Sequence, residues 1–178
     1  MPVDRARAAT QERKQARRVL SAIAALALTL TSACGGSTFD GQVYRNGEFA
    51  FRVGPVPRSW RAIEVDGTLL AFRDDADAAT VAVSGRCGLD GDDVPLEALT
   101  QHLFLHFTER TLVSQQRLDL DGRAALRTEL VARLDGVPMF YRVYVLKKDG
   151  CVYDLVHVSN QRDGEDFDRF ARGFGTLG

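Results

Sequence analysis

The chain has 178 residues, with 23 Lys and Arg against 24 Asp and Glu, and a formal net charge of −1. Hydrophobic residues make up 45% and charged residues 26%, a composition typical of a globular protein. Because basic residues are not in excess, the chain is poorly suited to neutralising phosphates. We therefore do not expect it to bind nucleic acid.

The first 33 residues have the pattern of an export signal. The first 18 carry six Lys and Arg against two Asp and Glu, and residues 19–33 carry no charge. These 15 residues are short for a membrane-spanning helix, which needs about 20 apolar residues, but they fit the central region of a signal peptide. The sequence therefore predicts a signal peptide over residues 1–33.

The small residues Thr31, Ser32 and Ala33 lead directly into Cys34 and Gly35. This run resembles the lipobox of bacterial lipoproteins, although that family most often has Leu, Val or Ile in place of Thr31. The resemblance implies that the Cys34 thiol is lipidated and holds the protein on the membrane of the cell envelope. It also implies sorting to the outer membrane in a cell with two membranes, because the residue that follows the cysteine is Gly35 and not Asp. The alternative is an ordinary signal peptide followed by a free cysteine.

Cleavage before Cys34 leaves 145 residues, which is enough for one domain. The remaining 17 basic and 22 acidic residues give this mature chain a net charge of −5. We expect residues 34–42 to be the lipidated cysteine and a flexible tether, and residues 43–178 to form a single domain.

The first predicted elements of the domain are a strand at Phe49, Phe51 and Val53, and a hairpin of residues 68–73 and 80–86. A helix is then predicted over residues 95–110. The side chains expected on its buried face are Leu96, Leu99, Leu103 and Phe107.

Asp-Gly pairs at positions 121, 135 and 149 separate four apolar runs in the second half: 114–120, 123–134, 137–146 and 152–159. Such pairs between alternating segments predict an antiparallel meander. Residues 123–134 are apolar on one face and mostly polar on the other, which predicts one buried face. A closing helix is predicted from about residue 163, with Phe167, Phe170 and Phe174 on one face. The order of elements predicts the α+β class, an antiparallel sheet covered by helices.

Beyond Cys34, the chain has two cysteines, Cys87 and Cys151. An even pair in an exported domain favours a disulfide, here between residues near the ends of two predicted strands. The alternative is two separate thiols, buried and inert.

The order of these elements over residues 43–177 resembles the superfamily of the photosystem II protein PsbP and the Ran-binding protein Mog1. The likeness is carried by the strand at Phe49, Trp60 close behind it, the helix after Pro95, the meander and the closing helix with Phe167. The resemblance implies an αβα sandwich that acts as a non-enzymatic adaptor. It supplies no binding motif, so no functional residue is carried over.

The chain lacks a Gly-x-Ser-x-Gly motif, a P-loop and a Cys-x-x-Cys pair, and we expect neither an enzyme nor a bound cofactor. His102, His106 and Glu109 are the candidate metal ligands, because on a helix they fall on one side. The alternative is a polar flank beside the apolar face of that helix.

His157 is expected to be a hydrogen-bonded structural residue rather than a catalytic base. Arg142, Tyr144 and Tyr153 are interpreted as solvent-facing sheet residues, with a partner-binding surface as the alternative. Together these observations predict a lipid-anchored envelope protein that binds an envelope protein partner. The alternative function is a small metal- or ligand-binding lipoprotein that uses the candidate metal ligands.

Overall fold

The structure is a computed structural model that describes residues 36–88, 93–107 and 109–178. The predicted signal peptide and Cys34 lie outside the described residues. The strands are β1 (Thr38–Phe39), β2 (Val43–Arg45), β3 (Ala50–Arg52), β4 (Trp60–Ala62), β5 (Leu70–Asp74), β6 (Ala79–Cys87), β7 (Arg110–Leu120), β8 (Arg123–Leu134), β9 (Val137–Lys148), β10 (Cys151–Ser159) and β11 (Gly175–Thr176). The helices are α1 (Leu96–His102) and α2 (Glu165–Arg172).

Two-residue Asp-Gly turns connect the consecutive strands β7, β8, β9 and β10. In each turn both residues have positive φ angles: 54° and 71° at 121–122, 51° and 81° at 135–136, and 54° and 74° at 149–150. This is the geometry of type I′ turns, whose twist matches that of the strands they join. All three pairings are antiparallel, so the predicted meander is confirmed.

The meander forms part of a seven-stranded antiparallel sheet with the order β4-β5-β6-β10-β9-β8-β7. The predicted first hairpin is confirmed as β5 and β6, and β6 pairs with β10. A smaller sheet has the order β1-β2-β3-β11.

Helix α2 and the smaller sheet pack against the same face of the large sheet. Phe51 of β3 meets Phe174, which follows α2, and Tyr153 of β10, with ring centroids 5.3 and 6.2 Å apart. Phe167 and Phe170 of α2 are fully buried in the same core. The opposite face of the large sheet carries a second core, in which α1 packs against β8 and β9.

The prediction of a sheet covered by helices is wrong. The described residues contain two short helices, of seven and eight residues, and consist mainly of antiparallel sheet. The smaller sheet covers part of the face where a helical layer was expected. Its aromatic side chains, such as Phe51, pack into the core there. The polar face of β8 is also covered in part, because α2 lies over it.

The predicted helix over residues 95–110 is shorter than expected and ends at His102. The N–H groups of Leu103 and Phe104 bond to carbonyls three residues back, which tightens the chain into a turn. From Arg110 the chain pairs with β8, opposite Ala132, and continues as β7. Strand pairing therefore overrides the helical periodicity.

Residues 37–178 form one compact unit. Strand β1 falls inside the segment predicted to be a tether, and the ring of Phe39 packs 5.9 Å from that of Phe72. The folded part consequently begins before residue 43. No helix within the described residues is long and apolar enough to span a membrane.

Candidate functional site

The prediction that Cys87 and Cys151 form a disulfide is confirmed. The two residues lie directly opposite each other at the ends of β6 and β10. The bond therefore links the first hairpin to the meander across a sequence separation of 64 residues.

The candidate metal ligands His102, His106 and Glu109 are not brought together. Helix α1 ends at His102, so the helical spacing that would have aligned the three side chains is absent. The carboxylate of Glu109 instead pairs with Arg133 at 2.8 Å. Within the described residues, no group of three or more His, Cys, Asp or Glu side chains is placed to hold a metal ion.

An ion-pair cluster lies between α2 and the large sheet. Its members are Arg127, Glu129, Arg142, Tyr144 and Asp168. The Asp168 carboxylate receives hydrogen bonds from Tyr144 at 2.7 Å, from Arg142 at 3.0 Å and from Arg127 at 3.3 Å. Glu129 pairs with Arg127 at 2.7 Å and with Arg142 at 2.8 Å. The four charged side chains are mostly buried, and their two positive and two negative charges balance.

The pKa values in this cluster follow from burial and from neighbouring charges. Burial alone would raise the pKa of Glu129, but the charges of Arg127 and Arg142 outweigh it and hold the pKa below its usual value. Burial and the adjacent Asp168 carboxylate raise the pKa of Tyr144. Both arginines are thus committed to carboxylates of the protein, which makes the cluster a structural connection between helix and sheet.

His157 of β10 lies beside this cluster and is 6% exposed. Its imidazole stacks on Phe167, with ring centroids 5.3 Å apart, and makes no hydrogen bond to a described residue. Burial, and next the positive charge of Arg142, lower the pKa of His157 to about 4. The residue is buried, as a structural histidine would be, but the expected hydrogen bond is not found.

Two clefts meet at His157. One, of about 70 Å³, also contains Arg142, Phe140 and Val113. The other, of about 130 Å³, lies where α2 begins and is named the acidic cleft after the carboxylates that line it: Asp74, Asp77, Asp163, Glu165 and Asp166.

Strand β7 forms one edge of the large sheet, and within the described residues no strand pairs with its outer side. Its first eight residues are all exposed, including Leu112 at 60% and Val113 at 45%. Beside it, a groove of about 280 Å³ separates β7 from α1 and is lined by Leu112, Phe104 and Leu130 among others. The strand thus presents unpaired backbone groups next to apolar side chains.

The ion-pair cluster was not predicted from the sequence, and the predicted positions of the two tyrosines are wrong. Tyr144 and Tyr153 are buried rather than solvent-facing, and Arg142 is held by the cluster. One weak signal was available, because Arg127 and Glu129 are neighbours of opposite charge between Ala125 and Val131 on the mostly polar face of β8. Charges that become buried need partners, so apolar neighbours on both sides point to a covered pair.

No family model and no curated protein sequence matches the chain. Its fold is similar to that of the cyanobacterial PsbP protein, CyanoP, of Synechocystis, with a TM-score of 0.55 and 17% identity over 83% of this chain and 99% of that one. It is also similar to a crystal structure of a protein from Bacteroides thetaiotaomicron, with a TM-score of 0.53 and 10% identity over 72% of this chain and 45% of that one. LpqN of Mycobacterium tuberculosis, a protein involved in cell envelope biogenesis, matches at a TM-score of 0.49 and 15% identity over 80% of this chain and 90% of that one.

The likeness to CyanoP defines the class of fold: the chain has a PsbP-like fold. At such a low identity it shows the fold alone, and a fold does not fix a function.

Proposed function

We propose that the chain is a lipid-anchored protein of the cell envelope that acts by binding a partner protein rather than by catalysis. The lipid anchor is attached at Cys34, residues 1–33 are removed, and the domain behind the anchor supplies the binding surface. The leader sequence supports the anchor and the compartment. Gly35 after the cysteine favours the outer membrane where the cell has two.

The observation that carries the binding function is the exposed edge of β7. An edge strand offers a row of N–H and C=O groups with which an extended segment of another protein can pair. Leu112 and Val113 add apolar surface near the start of β7, and the adjacent groove can accept side chains of the added strand.

Charges and an irregularity in β7 restrict which segments can pair there. Arg110 and Arg117 flank the apolar pair, and the register shifts by one residue between Leu112 and Ser114. Charged side chains and bulges are devices by which proteins prevent unspecific pairing at a sheet edge. We therefore infer a specific partner whose segment complements these features.

The partner surface is tested by placing a photo-crosslinking residue at position 112 or 113 and irradiating intact cells that carry the native anchor. The matched control is position 65, because Val65 is a 42% exposed apolar residue that precedes β5, away from β7. We expect one discrete adduct from 112 and 113 and none from 65. Equal adducts from all three positions, or turnover of a substrate by the purified protein, would contradict the proposal.

The anchor is tested separately by feeding cells labelled palmitate. Label is expected on the wild type and not on Cys34→Ala. Fractionation of the two membranes then tests the sorting, and label on both variants would remove the basis for the anchor.

A further inference from the structure

The acidic cleft concentrates negative charge where α2 begins. Of its five carboxylates, one, Asp166, pairs with Arg169. The other four, those of Asp74, Asp77, Asp163 and Glu165, form no ion pair with any residue that the structure describes. A cleft whose walls carry one sign of charge raises the local concentration of ligands of the opposite sign.

Two of these carboxylates, those of Asp74 and Asp163, are held in place by hydrogen bonds. Asp74 accepts hydrogen bonds from the indole N–H of Trp60 at 3.0 Å and from the N–H of Ala76 at 3.1 Å. Asp163 accepts from the N–H groups of Gly164 and Glu165, and these bonds hold the pKa of Asp163 below its usual value. These hydrogen bonds hold both carboxylates at the wall of the cleft.

His157 is a second and independent indication of a ligand. Its side chain is more than nine-tenths buried, lines the cleft and has no hydrogen-bond partner among the described residues. Its ring nitrogens are not among the fully enclosed polar atoms that lack a partner, so they are open to the contents of the cleft. A bound molecule that donates a hydrogen bond can therefore reach the imidazole there.

We propose that the acidic cleft binds a primary ammonium group carried on a short alkyl chain, the chemistry of a lysine side chain or of a small free amine. The carboxylates neutralise the cation, the imidazole accepts one of its N–H groups, and the aromatic walls formed by Trp60 and Phe167 contact the alkyl part. The volume of about 130 Å³ has room for several water molecules or one such group. The low pKa of His157 agrees, because a neutral imidazole retains a free lone pair.

A metal ion fits these residues less well than an ammonium group does. Within the described part of the chain, no three ligating side chains are close enough to coordinate one ion. An ammonium group does not require several ligands that converge on it at about 2 Å, and charges spread around the cleft suffice for it.

The test follows the imidazole resonances of His157 by NMR in the full mature protein, with its anchor held in detergent. The probes are n-butylammonium chloride, n-butanol, calcium chloride and a lysine-containing tripeptide. We expect n-butylammonium to shift the His157 signals saturably and n-butanol to leave them unchanged. A tripeptide that binds more tightly than n-butylammonium identifies a protein lysine as the source, and the reverse order identifies a free amine.

The double variant Asp77→Asn, Asp163→Asn is expected to weaken n-butylammonium binding by at least about tenfold, as removal of charge-assisted contacts should. Asp66→Asn is the matched control, since Asp66 is exposed in the turn before β5, and it should bind as the wild type does. Where the double variant does not fold, Glu165→Gln replaces it, because Glu165 is exposed at the start of α2. The proposal is overturned by equal affinities of variant and wild type, by an equal response to n-butanol, or by a response to calcium alone.

Discussion

Tyr144 of β9 donates a hydrogen bond of 2.7 Å to Asp168 of α2, and this bond joins a residue of the sheet to the one helix that covers its aromatic core. The same carboxylate pairs with Arg127 and Arg142. Asp168 is therefore the residue of α2 through which the ion-pair cluster holds the helix against the sheet.

Replacement of Asp168 by Asn should lower the free energy of unfolding by about 3 kcal/mol, because two largely buried guanidinium groups are left with the single carboxylate of Glu129. Urea denaturation measures the loss. The control is Asp166→Asn in the same helix, which removes an exposed pair with Arg169 and should cost less than about 0.5 kcal/mol. Similar losses in the two variants would show that the cluster does not stabilise the fold.

The stability of the protein should fall as the pH is lowered from about 6.5 to about 4, because of His157. Its pKa is about 4 in the folded protein against 6.5 for an unperturbed histidine, so the unfolded chain binds the proton first. The contribution of His157 to the free energy of unfolding is fully present above pH 6.5. It is lost as the pH falls to the pKa of the folded protein, and the free energy of unfolding then decreases by about 3 kcal/mol. The facing charges of Arg142, Asp163, Asp168 and Asp74 act on this titration as well.

His157→Gln removes the titrating group and should flatten the profile between pH 6.5 and 4.5. Unfolding free energies measured in guanidinium chloride across this range test the point. A variant whose slope equals that of the wild type would assign the pH dependence to other groups.

Reduction of the disulfide should destabilise the protein by about 4 kcal/mol, since the bond closes a loop with a sequence separation of 64 residues. The variant Cys87→Ser, Cys151→Ser is compared with the wild type by thermal and urea unfolding. Dithiothreitol should lower the stability of the wild type and leave the double variant unchanged. If dithiothreitol does not lower the stability of the wild type, the predicted contribution of the disulfide is wrong.

Gly173 should not tolerate a side chain, because α2 ends against Gly54. A Cβ at Gly173 would lie 2.3 Å from the Cα of Gly54 and 2.4 Å from its nitrogen. The N–H of Gly54 donates to the carbonyl of Phe170 at 2.8 Å, so the two backbones cannot separate without breaking that bond.

We expect Gly173→Ala to cost about 2 kcal/mol through this overpacking. Gly47→Ala is the control, because no atom lies within 4 Å of its added Cβ, and it should be neutral or stabilising by up to about 1 kcal/mol. Chemical denaturation of both variants decides the matter. Equal stability of the two variants would show that the helix end can move away from Gly54.

The meander was predictable because its signals are local. Residues 121–122, 135–136 and 149–150 are Asp-Gly pairs, and the turn that each pair favours sets the register of the strands it joins. The pairing of Cys87 with Cys151 was predictable for a different reason, since the predicted export signal implies an oxidising compartment, where an even pair of cysteines favours a disulfide.

The extent of α1 was not predictable from its periodicity. Leu103 and Phe107 continue the helical pattern, but the segment from Arg110 gains a full ladder of hydrogen bonds by pairing with β8. That gain depends on residues about 20 positions further along the chain, which no local pattern reveals. The candidate metal ligands were proposed on the same assumption of a longer helix.

The sequence by itself determined the turns and the apolar faces, because each of these depends on residues that are neighbours in the chain; the leader and Cys34 are predicted from the same kind of local pattern. Only the tertiary structure decided which polar residues meet. Glu129 and Asp168 lie 39 positions apart and share Arg127 and Arg142, and His157 joins residues of β5 and α2 around one cleft. Such groups come together because strands and helix bury their apolar sides against one another, and the charges near those sides must then find partners in the protein or in a ligand.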